Sequence, residues 1–211
     1  MGLFGLCSAR NFYIAGMVEA LQNYLNRFIP FSGDDFKKIA QIAELRNYDK
    51  KVRVVDEGEV DQYFNFIGKG LVRKYFRKGK EEIITQLAKE NEVINSSVSF
   101  LTGLPSEYIV ETIEPTMFVS FRRSAIEDLY RQDRKWQKFG RLIMTDLFLQ
   151  KESWEIDKVK MSTQQRFVQF LTTNPELMQR VPQIYLASYL HIKPETFSRL
   201  KHLLRKSYSI K

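Results

Sequence analysis

Apolar positions change their period along the chain, and each change marks a different kind of element. From Met17 to about residue 47 they recur every three to four positions. Val18, Leu21 and Leu25 form one run and Phe36, Ile39 and Ile42 another, which predicts two helices. FIPFSGDD separates them, and Ser32 with Asp35 offers an N-cap for the second. From Tyr48 short β-rich runs take over: KVRVVDEGEV, YFNFIGKGLVRKYF, EEIITQLA, then YIVETIE and MFVSFRR. Gly58, Gly68, Gly70 and Gly79 punctuate them, which predicts an antiparallel meander closing on itself as a roll or barrel.

The helical period returns near residue 124. Ser124 is placed to cap a long helix running to about Asp157, with Ile126, Leu129, Trp136, Phe139, Ile143, Leu147 and Trp154 along it. Such a length exceeds what a small roll needs for cover, so the stripe serves either core packing or a dimer seam. A further helix begins after Ser162, presents Phe167, Phe170 and Leu171 on its apolar face, and stops at Asn174-Pro175.

Composition narrows the function classes. The 211 residues suffice for one large or two small domains, 44% are hydrophobic and 27% charged, and no run of 18 apolar residues exists to span a membrane. The first 16 residues, MGLFGLCSARNFYIAG, lack a basic start and read as a flexible leader, with Met17 as a candidate functional start. Cys7 is the only cysteine, which excludes a disulfide framework, a cysteine zinc site or a cysteine-held cluster within one chain and fits a cytoplasmic protein. His191 and His202 are the only histidines. Glu81-Glu82 and Asp34-Asp35 read as surface charge, no nucleophile–base pairing or phosphate-cradling loop is present, and neither catalysis nor a metal or cofactor is expected.

The net charge of +8 is segregated. Residues 1–157 carry 23 basic and 23 acidic side chains, whereas residues 158–211 carry 10 basic ones against only Glu176 and Glu195. A neutral body with a basic C-terminal module points to a polyanion, nucleic acid ahead of an anionic membrane. Within that module, QIYLASYLHIKPETFSRLKHLLRK (183–206) has the features of two helices packed steeply through a short turn. Ala187 is small where the backbones approach, and Ile184, Ala187 and Leu190 form the inner face of the first helix, with Leu186 at its flank and Ser188 outward. Ile192 anchors the turn after His191, Pro194 suits a first helical turn, and Phe197, Leu200, Leu203 and Leu204 form the second inner face. Lys193, Glu195, Thr196, Ser198, Arg199 and His202 remain outside. Arg199 can donate two hydrogen bonds to guanine, and Glu195 can accept from cytosine. Gln183, Thr196 and Ser198 suit phosphates or base edges, while Lys193, Lys201, Arg205 and Lys206 suit phosphates. Any helical hairpin has an exposed polar face; the charge segregation is what favours a DNA-reading one.

LASYLHIKPETFSRLKHLL resembles the helix-turn-helix of the Crp/Fnr transcription regulators, and QQRFVQFLTTNPELMQRVPQIYLASYL resembles their Bacteroidetes-type members. DEGEVDQYFNFIGKGLVRKYFRKGKEEIITQLAKENEV is similar to their cyclic-nucleotide-binding-type roll, so the resemblance covers roughly residues 20 to 206. It implies an α+β protein with an N-terminal antiparallel β-roll sensor over 17–123, a dimerisation helix over 124–158, and a helix-turn-helix domain over 159–211 with a reduced wing. It also implies a homodimer on double-stranded DNA at a pseudo-palindromic site, with RNA polymerase as a further partner. The family's base-reading pattern falls on Glu195, Ser198 and Arg199.

The resemblance breaks at the ligand cassette. Nucleotide-binding members carry Gly-Glu and, ten residues on, Arg followed by Ser or Thr; here Asn95-Ser96 and Ser106-Glu107 stand in those places. Without the Arg, a cyclic phosphate would face Glu107 unpaired, so control by cyclic AMP is not expected. What remains is an unknown effector in an apolar pocket walled by Phe100 and Leu101, or a roll that senses nothing. The alternative function is a small-molecule sensor module of this type acting through a protein partner. His191 stands where many relatives have Gly; if the turn needs a positive φ there, a non-Gly residue is strained and His191→Gly is expected to be neutral or stabilising.

Overall fold

The structure, a computed structural model, describes residues 16–208, with side chains as far as Leu203. Apart from Gly16, the expected leader with Cys7 lies outside the described residues, as do the side chains of Leu204, Arg205 and Lys206. Two compact units form. One comprises the residues up to Lys74 together with Leu87–Ile143, the other Tyr75–Gln86 together with the residues from Met144 on.

The first unit begins with helix α1 (16–26) and helix α2 (Gly33–Ile42). Ser32 caps α2 in a reciprocal capping box with Asp35, as its sequence suggests. Eight strands follow: β1 (Ala43–Tyr48), β2 (Arg53–Val55), β3 (Tyr63–Lys69), β4 (Val72–Lys78), β5 (Glu81–Ala88), β6 (Val93–Ile94), β7 (Ile109–Thr112) and β8 (Thr116–Arg122). Helix α3 (Ser97–Thr102) lies between β6 and β7. The strands make two four-stranded sheets, ordered β1-β8-β3-β6 and β2-β7-β4-β5. The expected antiparallel roll is present, and its pairing is long-range, early strands lying against late ones: Ala43 opposite Phe121, Asn65 opposite Ser120, Val55 opposite Val110. Val55, Ile67, Val72, Ala88, Ile94, Val110 and Phe118 fill its core. Removing that much branched and aromatic surface from water favours the roll over any local hairpin arrangement.

An aromatic cluster joins α1, α2 and the later helices of this unit. Phe31 stacks on Trp136 at 5.5 Å and meets Phe139 edge-on at 4.9 Å, while Tyr24 packs on Phe66 at 5.4 Å. The expected single helix from Ser124 is two helices, α4 (Arg123–Gln132) and α5 (Arg134–Lys160), separated by the extended residue Asp133. Ser124 is not the cap: it lies inside α4, and α4 has no side-chain cap. Asp133 caps α5 instead, its carboxylate accepting from the N–H of Lys135 at 2.8 Å. Gly140 interrupts the apolar run of α5 because a Cβ there would run into the Tyr130 hydroxyl.

The second unit contains the rest of α5, then α6 (Thr163–Thr173), α7 (Leu177–Arg180), α8 (Gln183–Tyr189) and α9 (Pro194–Tyr208). Ser162 caps α6 in a capping box with Gln165, and Asn174 ends it. The core forms around Phe167 and Phe197, edge to face at 5.0 Å, with Phe170, Leu177, Val181, Leu186, Ala187, Leu190 and Leu200 buried about them. Trp154 of α5 stacks flat on Tyr189 at 5.0 Å and 8°. The outer part of the β4–β5 hairpin belongs to this unit and contributes the fully buried Tyr75 and Ile84. Among the described residues no strand follows β8, and α7 occupies the stretch between Pro175 and Pro182.

Candidate nucleic-acid interface

Helices α8 and α9 meet through a turn whose backbone is closed by its own hydrogen bonds. The N–H of His191 donates to the carbonyl of Ser188 at 3.0 Å, and that of Ile192 to the carbonyl of Ala187 at 3.0 Å. His191 adopts φ 55°, the left-handed conformation expected where relatives carry glycine. Pro194 is the first residue of α9, where its missing N–H costs no helical bond.

Packing settles which faces are inside. Leu186, Ala187, Leu190, Phe197 and Leu200 are buried. Ile184, read as part of the inner face, is 61% exposed. At 100° per residue it lies about 110° around α8 from the centre of the stripe set by Leu186, Ala187 and Leu190. Leu203, also read as inward, is 51% exposed at the edge of the α9 stripe. On the other side Gln183, Lys193, Glu195, Ser198, Arg199 and His202 are exposed, with Thr196 and Lys201 half-buried. The structure thus gathers the sequence-predicted residues 193–202 on one solvent face at the N-terminal half of α9, with Gln183 at the start of α8.

The junction before this face is held by an arginine that sequence patterning did not single out. Arg166 donates from Nη1 to the carbonyls of Lys158 at 3.1 Å and Met161 at 2.9 Å, closing the end of α5 onto α6. Burial holds the His191 imidazole below its usual titration range, and the charges of Lys158 and Arg166 push the same way.

The cassette in the first unit has a different character. Ser96 and Ser106, standing where the nucleotide-binding members carry Glu and Arg, are both buried and hydrogen-bonded to each other at 2.7 Å. Ser106 Oγ also accepts from the N–H of Tyr108 at 3.0 Å. Asp61, unremarked in the sequence, is buried beside them and accepts from the N–H of Ser96 at 2.7 Å and of Tyr63 at 3.1 Å. Burial raises the Asp61 carboxyl above its usual range, opposed by those two N–H donors. Asn95 is buried, with its carbonyl accepting from Lys74 Nζ at 3.3 Å, whereas Glu107 is exposed. Phe100 and Leu101 do not wall one pocket: Phe100 packs on Phe64 at 6.1 Å, and Leu101 is 54% exposed. Adjacent residues of a short helix point apart.

Among the described residues no group of three or more metal-ligating side chains forms, and no helix is long and apolar enough to cross a membrane. The chain matches no family model, and no curated protein matches its sequence. Solved structures do resemble it. FixK2 of Bradyrhizobium japonicum matches at 20% identity and TM-score 0.65, over 79% of this chain and 86% of its own. The c-di-GMP-responsive global regulator CLP of Xanthomonas campestris matches at 15% and 0.64, over 83% and 93%. DNR of Pseudomonas aeruginosa matches at 22% and 0.52, over 90% and 87%. These neighbours are Crp/Fnr-type regulators, and the chain has their fold, an α+β architecture with a cyclic-nucleotide-binding-like β-roll and helices.

Proposed function

We propose that this protein is a homodimeric, sequence-specific DNA-binding transcription regulator of the Crp/Fnr type, within its Bacteroidetes-type branch, working without cyclic AMP. The observation that carries the reading is the exposed polar face of α9 over a buried Phe197–Leu200 stripe, at the end of a chain whose entire charge excess lies in that region. Arg199, Glu195 and Ser198 read bases, Thr196, His202 and Gln183 contact base edges or phosphates, and Lys193 and Lys201 grip phosphates.

The dimer seam is the C-terminal half of α5. Leu142, Thr145, Leu149, Glu152, Ile156 and Val159 repeat at alternating three- and four-residue steps, and Leu149, Ile156 and Val159 are 59%, 47% and 88% exposed. Leu142, Leu149, Ile156 and Val159 make this stripe apolar apart from Thr145 and Glu152, and its period matches a second copy of itself in a parallel coiled coil. Independence from cyclic AMP is supported by the Ser96–Ser106 contact, which joins the two positions that would have to part around a cyclic phosphate.

In vitro selection of bound DNA with the purified protein tests the reading. A two-fold-symmetric enriched motif, bound with steep salt dependence by a dimer, is expected. No enriched motif with a shallow salt dependence sinks it and would favour the sensor-module alternative.

A further inference from the structure

β5 closes the order β2-β7-β4-β5, so among the described residues its strand neighbour in the sheet is β4, on one side. In an extended strand the N–H and C=O groups of residues i and i+2 point to the same side. Ser188 of α8 meets such a pair. Its hydroxyl donates to the Glu82 carbonyl at 2.7 Å and accepts from the Ile84 N–H at 3.0 Å. A single side chain thereby does for this edge what a residue of another strand would do, 104 and 106 positions away in sequence. Ser188 can reach the edge because Leu186, Ala187 and Leu190 take the inner face of α8 and leave it outward. Beside it, Tyr189 is stacked on Trp154 of α5 and tilted against Phe170, so α8 is held by α5 and α6 as well as by the hairpin.

The contact does not cover the reading face, since Lys193, Glu195, Ser198 and Arg199 stay exposed with it in place. It is suited to positioning, not masking. We propose that the outer edge of β5 is a seat for the first helix of the reading head, keyed by the Ser188 hydroxyl, and that the seat holds this helix ready for DNA. The proposal rests on the DNA-binding reading above.

The test compares the full chain with Ser188→Ala and Ser188→Thr, the second keeping the hydroxyl. Amide exchange at Ile84, measured without DNA, should speed up roughly tenfold in Ser188→Ala, the change expected when one ordinary hydrogen bond no longer protects an N–H. Affinity for the selected DNA should fall by about three- to tenfold, the cost of ordering a helix no longer held in advance. Ser188→Thr should restore both. Unchanged exchange at Ile84 overturns the seat. Faster exchange with unchanged or tighter DNA binding overturns its positioning role. If the wild-type chain selects no DNA, the function proposed above falls, and the Ile84 exchange still decides whether the seat exists.

Discussion

Segment 95–108 of the roll and segment 183–202 of α8 and α9 both carry several polar side chains, yet the structure uses them in opposite ways. In the first, Ser96, Ser99 and Ser106, with Asp61 beside them, are buried and spend their hydrogen bonds on one another and on nearby main chain. In the second, Glu195, Ser198, Arg199 and His202 face solvent on α9. A polar group satisfied inside a fold stabilises that fold; one held out on a rigid helix is available to a partner. The contrast teaches that resemblance to a ligand-binding domain is not evidence of a ligand, and it ranks the tests.

The largest effect should come from the interior of the roll. Arg73 of β4 and Glu111 of β7 form a buried ion pair, with Arg73 Nη2 donating to Glu111 Oε1 at 2.8 Å. Glu111→Ala should cost on the order of 3–5 kcal/mol of stability by leaving a buried guanidinium uncompensated. Chemical denaturation would show it, and the paired Arg73→Met, Glu111→Leu change should recover most of the loss. A small single-variant loss would mean that water reaches the pair.

Ser106→Ala and Arg199→Ala should then separate the two regions. The first removes the acceptor of the Tyr108 N–H and should cost about 1–3 kcal/mol of stability without changing DNA specificity. The second should leave the melting temperature alone and cost about 1–3 kcal/mol of DNA binding, relaxing base preference at one position. Equal weakening of Arg199→Ala on every sequence would make it a phosphate contact. A loss of specificity in Ser106→Ala would contradict the closed cassette.

Smaller effects are expected at the turn and the N-terminal cap. His191→Gly relieves a left-handed conformation worth about 1 kcal/mol, and calorimetry should find it neutral to slightly stabilising. A clear fall in melting temperature would show that the imidazole contributes more than its backbone costs. Asp35 is held down to about 2, chiefly by the Lys135 ammonium and then by Ser32. Its folded value lies below its unfolded one, so its contribution is present above about pH 4 and is lost as pH falls toward 2. Lys135→Met should flatten that part of the stability curve, with acid titration of unfolding as the readout.

Much of this was legible in the chain. The Ser32 and Ser162 caps, the stop at Asn174 and the packing of Ala187 and Phe197 follow from local rules, which act over a few residues, whereas the positive φ at His191 was suggested by the family resemblance. The failures were of another kind. Asp133 rather than Ser124 caps α5, and the helix it starts carries Trp136 and Phe139 onto Phe31, contacts between distant parts of the chain that local spacing does not announce. Ile184 fell outside the α8 stripe because a seven-residue helix has too few apolar positions to define one from spacing alone.

By itself the sequence determined the element types, the charge segregation toward the C-terminus and the identity of the α9 face, since periodicity and composition are properties of neighbouring residues. Only the tertiary structure decided that β1 and β3 both pair with β8, that Ser96 and Ser106 close on each other, and that Ser188 meets the β5 edge. Those are contacts between distant parts of the chain. Their partners are selected by which arrangement buries the most apolar surface with every polar group satisfied, a condition that no local stretch can express.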